Sequence, residues 1–138
     1  MLAIVAALGL VGQGVAGPPS TATDKPTVTS IRVRLIAQNH SGQTGSAELL
    51  QGGPWPQVFV TLTMKGIRRG TSEPAEIRRG TCAKLDTKAA YTLTNATNGD
   101  TSSTLDEMQL PGLQADKYAI VLRDAKNPST VVACGNII

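Results

Sequence analysis

The sequence predicts an all-β domain. Three observations predict it: short runs in which apolar and polar residues alternate, turn signals at short intervals between them, and no ten-residue helical stripe after residue 30. About eight such strands at this spacing form an antiparallel sandwich or flattened barrel.

Taken in order, SIRVRLIAQ (30–38) sets Ile31, Val33 and Leu35 on one face and Arg32 and Arg34 on the other. NHSGQTG is a turn, and GSAELLQ (45–51) a weaker strand. After the turn GGPWP, VFVTLTM (58–64) sets Val58, Val60, Leu62 and Met64 against Phe59, Thr61 and Thr63. RRGTSEP reads as loop, AEIRRG (75–80) and AYTLTN (90–95) as strands, NGD as a turn and SSTLDEMQL (102–110) as a strand. KYAIVLRD (117–124), the turn KNPS and STVVACGNII (129–138) complete the series. Trp55, in the Pro-Trp-Pro stretch, is expected to plug one end of the barrel, an exposed contact being the other reading.

The chain opens on MLAIVAALGLVGQGVAG, an apolar run from Leu2 to Val11 followed by small residues, with Gly14 and Ala16 fitting a small-x-small cleavage site. It is short for a membrane span and reads as a secretory leader over 1–16, although no Lys or Arg precedes the run. GPPSTATDKPTVTS, rich in Pro, Ser and Thr, reads as a flexible tether over 17–30, leaving one domain over 31–138. The expected location is therefore secreted or periplasmic, with no transmembrane segment in the mature chain.

A net charge of +3 favours anionic partners weakly, and aromatic residues at 3% are too few to interleave a nucleic-acid surface. Cys82 and Cys134 are the two cysteines, and in an exported chain a disulfide is the expected state. Two buried free thiols are the alternative; a thiolate metal site would want the CxxC spacing, which is missing.

STVVACGNII is similar to the C-terminal strand of the copper/zinc superoxide dismutases, whose tail supplies one disulfide cysteine. SGQTGSAELLQGGPWPQVFVTLTMKGI resembles that family's early hairpin, AEIRRGTC falls at its His-x-His strand, and YAIVLRD at the strand ending in a copper-binding histidine. EPAEIRRGTC is closer still to small secreted bacterial relatives that carry PAHIHxGxC there. The resemblance covers roughly residues 31–138 and implies a Greek-key β-sandwich, with Cys82 and Cys134 at the family's disulfide positions.

It does not carry the activity with it. By that alignment Glu76 and Arg78 stand where the histidine pair belongs, Arg123 where the strand-end histidine belongs, and the zinc loop's histidines have no counterpart. His40 is the chain's one histidine. Dismutation needs a redox copper held by several imidazoles, and a guanidinium keeps its proton and repels a cation. No metal, no cofactor and no enzymatic activity are expected. Glu76 and Arg78, two apart on an extended strand, share a face, and the resemblance brings Arg123 to the same spot. A carboxylate between two guanidiniums is expected where the copper would sit.

Lys65, Arg68, Arg69, Arg78 and Arg79 crowd into fifteen positions and form a candidate patch for an anionic ligand or acidic protein surface, if the loop folds over the strand. Ordinary solvated charge is the other reading. His40 lies in a polar turn and is expected to be a solvated turn residue, a lone metal contact or a general base being the other readings. Asp106 and Glu107, adjacent on their expected strand, would face opposite ways and make a poor acid–base couple. The sequence thus points to a secreted, non-catalytic binding domain with a dismutase-like fold. A divergent dismutase-like metalloprotein and a structural envelope protein without a ligand are the alternatives.

Overall fold

The computed structural model describes residues 29–138, so the leader and all but the last two residues of the tether lie outside the described residues. Ten strands and one short helix follow: β1 (Ser30–Ala37), β2 (Thr44–Gln51), β3 (Gln57–Lys65), β4 (Ser72–Glu73), β5 (Ala75–Thr81), β6 (Lys84–Thr92), β7 (Ala96–Thr97), β8 (Asp100–Asp106), α1 (Leu110–Ala115), β9 (Tyr118–Arg123) and β10 (Val131–Ile137). The ten strands form one antiparallel sheet, curled into a half-barrel, in the order β4-β7-β8-β3-β2-β1-β10-β9-β5-β6. The all-β expectation holds; the strand count is ten because two strands are two residues long. Ser30, assigned to the tether from sequence, already pairs with Leu50, and the Thr29 carbonyl accepts from the Gln51 amide.

Alternation places the core. β3 buries Val58, Val60, Leu62 and Met64 and exposes the residues between them. β1 turns Val33 and Leu35 to the same interior, where they join Ile77, Ile120 and Leu122 in one apolar cluster. β1 also joins the two halves of the sheet: Ser30–Leu35 pair with β2, then Ile36 and Ala37 pair with β10. β9 differs in being buried from Tyr118 to Leu122 without a break. Its outer face is covered by a second apolar cluster, in which Ala119, Val121 and Cys134 meet Cys82, Leu85 and Val131.

Three expectations are corrected. The run SSTLDEMQL is not all strand: β8 ends at Asp106, and Glu107 turns the chain at φ 55°, so the two acids are not strand neighbours. A helical turn then starts with Pro in its first turn, where its missing amide costs nothing. Leu110 and Leu113 of this helix are fully buried, and Leu110 N donates to Gln51 Oε1 at 2.6 Å. Both leucines join the main apolar cluster, whereas Trp55, expected to plug a barrel end, is 70% exposed. Finally, the strand expected at 90–95 begins at Lys84 and ends at Thr92, with Leu93 in the core just after it. Among the described residues no helix is long and apolar enough to cross a membrane.

Candidate functional site

β5 and β9 are hydrogen-bonded neighbours with Glu76 opposite Val121 and Arg78 opposite Ala119. Glu76 and Arg78 therefore share the outer face of the sheet, and Arg123, two beyond Val121, lies diagonally across from Glu76. Arg78 Nε donates to Glu76 Oε1 at 2.6 Å. Arg123 Nε lies 3.2 Å from the same oxygen, an ion-pair contact off the hydrogen-bond line. Glu76 is 5% exposed, so both charges act through little water. Each guanidinium has a second anchor: Arg78 Nη1 reaches the Asp86 carbonyl at 3.5 Å, and Arg123 Nη1 donates to the Pro128 carbonyl at 3.2 Å. The triad thus ties β5 and β9 to β6 and to the β9–β10 turn. Its acid oxygen is shared by two cations, which leaves it neither a free base nor a nucleophile.

The disulfide lies beside it. Cys82 and Cys134 are bonded, with Cα atoms 5.9 Å apart, closing a sequence separation of 52. The bond spans β9 to join the β5–β6 turn to β10, and its sulfurs belong to the outer apolar cluster. Cys82 N donates to Asn136 Oδ1 at 2.7 Å, a second tie between the same segments.

The five basic residues singled out from sequence do not share one contact surface. Arg78 points to the outer face and is engaged by Glu76. Arg79, next along β5, points the other way and places its guanidinium 5.3 Å from the Tyr118 ring, a cation–π contact. Lys65 lines a groove on the outer face of β1–β3 with Arg32, Arg34, Thr44, Ser46 and Thr63. Arg68 lines a different groove, with Gln43, Glu73, Asp124 and Lys126. Arg69 is exposed in the β3–β4 loop. His40 is exposed in the β1–β2 turn at φ 59°. Among the described residues no three His, Cys, Asp or Glu side chains converge as a metal site.

One site residue escapes sequence reading. Glu73, inside what reads as the loop RRGTSEP, is 1% exposed. Its Oε2 accepts from Gln43 Nε2 at 2.8 Å, while Glu73 Oε1 and Gln43 Oε1 are buried and find no partner among the described residues. Burial foremost, and the nearby Asp124 charge, raise its carboxyl above the ordinary value near 4.5, against the Gln43 hydrogen bond. The chain signals this through Pro74 alone, which follows Glu73 and holds it extended. The partner, thirty residues upstream, carries no local mark.

Compared with known proteins, the chain matches no family model and no curated sequence.

Proposed function

We propose that this chain is an exported, non-catalytic binding domain with the superoxide dismutase-like fold its sequence resembles, carrying an ion triad at the position of that family's copper. The observation that carries the reading is Glu76 Oε1 held by Arg78 Nε at 2.6 Å and Arg123 Nε at 3.2 Å. These side chains do not fit copper. A guanidinium has no lone pair to give and repels a cation, and the chain's one histidine, His40, stands in an exposed turn. No redox step is derived through that position. The strand order supports the fold half of the reading, since β10 returns beside β1 and β8 beside β3, as late strands do in a Greek key. The disulfide supports export, because such bonds persist in oxidising compartments.

The binding half rests on the groove of β1–β3. Arg34, Ser46 and Thr63 are cross-strand neighbours, with Lys65 opposite Thr44. Among the described residues Arg32 is the one cation of this face with an acid in reach, Glu48 at 3.7 Å, a pair too exposed to hold it. Three cations on a hydroxyl-lined sheet complement an anionic polymer or acidic surface. Equilibrium dialysis against copper and zinc should leave no stoichiometric, tightly held metal; one copper per chain overturns the metal-free reading. Retention on a heparin matrix should fall with salt and in Arg32→Ala/Arg34→Ala, and retention indifferent to both removes the anionic partner.

A further inference from the structure

The second groove is built differently from the first. It lies between the turn before β2, the β3–β4 loop and the β9–β10 turn, and Glu73 and Gln43 contribute its buried carboxylate and amide. Glu73 is 1% exposed, yet among the described residues no Lys or Arg comes within ion-pair distance of it. A buried, uncompensated carboxylate is costly, and a water donating to it would leave the charge in place. Two acceptor oxygens, Glu73 Oε1 and Gln43 Oε1, find no donor among the described residues, and both residues line the groove. The missing partner is therefore a group with several N–H donors and a positive charge. A primary ammonium has both. Arg68 and Lys126, exposed on the same groove, count against a bare metal cation and favour a ligand that carries an anion as well. Asp124 completes the charged lining; its Oδ1 accepts from the Lys126 amide, and its charge adds to the negative end.

We propose that this groove binds a small α-amino-acid zwitterion, its ammonium donating to Glu73 Oε1 and Gln43 Oε1 and its carboxylate facing Arg68 and Lys126. The assignment rests on no part of the reading above, since neither the triad nor the β1–β3 face contributes to it. It gives the buried acid the counter-charge that the described residues do not supply.

The probes are glycine, methylammonium and tetramethylammonium, titrated near neutral pH into the full chain labelled with nitrogen-15. Glycine should shift the Gln43 side-chain amide saturably. Methylammonium should shift the same amide with affinity about tenfold weaker, having no carboxylate for the rim. Tetramethylammonium, which has charge but no N–H, should do nothing. Glu73→Gln should abolish the glycine response, and Arg68→Ala should bring glycine down to the level of methylammonium. A flat glycine titration, or an equal response to tetramethylammonium, overturns the site. Glycine no tighter than methylammonium overturns the zwitterion assignment. Should Glu73→Gln fail to fold, the comparison of the ammonium ions on the unaltered chain decides.

Discussion

Glu76 and Arg123, forty-seven positions apart in the chain, meet across two neighbouring strands with 3.2 Å between Oε1 and Nε. Arg78 closes on the same oxygen, so a single acid answers two cations. Glu76→Gln keeps the shape and removes the charge, leaving two guanidiniums side by side in a nearly buried place. The expected cost is about 3 kcal/mol, read as a lowered urea midpoint. Replacing all three residues by Met removes the desolvation cost along with the attraction, and should come within about 1 kcal/mol of the parent. A single variant as stable as the parent would show the triad to be surface charge.

The disulfide prediction concerns the unfolded chain. Closing a separation of 52 removes conformational entropy worth about 4 kcal/mol on the chain-entropy account. Cys82→Ala/Cys134→Ala should lose roughly that, plus a smaller amount for the outer cluster it thins. Equal denaturant midpoints for the double variant and the parent would contradict this.

How much of this the sequence shows follows from burial geometry. β1 and β3 are legible because one face is wet and one dry, which writes the period of two into the residues. β6 is a sheet edge with little buried, so its Lys and Asp residues blur the period and hide its start. β4 and β7 are too short to have a period, and α1 is too short for a helical stripe. Glu76 and Arg78 are legible as a same-face pair from spacing alone, whereas Arg123 needs the strand order. Glu73 is buried and meets Gln43, thirty residues upstream, a contact that no local pattern records.

Glu73 also sets a pH dependence. Its carboxyl is raised in the folded state, chiefly by burial, so the folded chain holds that proton more tightly than the unfolded chain. The stability from this residue is fully present below the unfolded value near 4.5 and is lost as pH rises through the raised folded value. Glu73→Gln should remove that fall and gain stability relative to the parent above this window. Asp124, Arg68 and Lys126 face the same groove and stay in both proteins, so the difference between the two pH profiles belongs to Glu73. Parallel profiles would contradict the burial account.

The seam between the two halves of the sheet rests on a missing side chain. Gly135 of β10 lies under β1, where a Cβ would collide with the Arg34 carbonyl oxygen and stand 2.7 Å from Val33 Cγ1 and 2.9 Å from Leu35 Cδ2. The carbonyl is backbone in a paired strand, and Leu35 is buried, so neither can move aside cheaply. Gly135→Ala should therefore cost roughly 3 kcal/mol, the upper end of overpacking effects, by parting β1 from β10. Gly112, in α1, is the internal control: a Cβ there would meet only Met108 Sδ at 3.8 Å. Gly112→Ala should instead gain up to about 1 kcal/mol, from helix propensity and a less flexible unfolded chain. Opposite signs for the same chemical change would locate the effect in the contact with β1. Hydrogen exchange should then find the loosened amides of Gly135→Ala at Ile36 to Gln38 and in β10, with the β2–β3 pairing protected as before. A loss of protection spread evenly over all strands would mean that the two halves do not part at this seam.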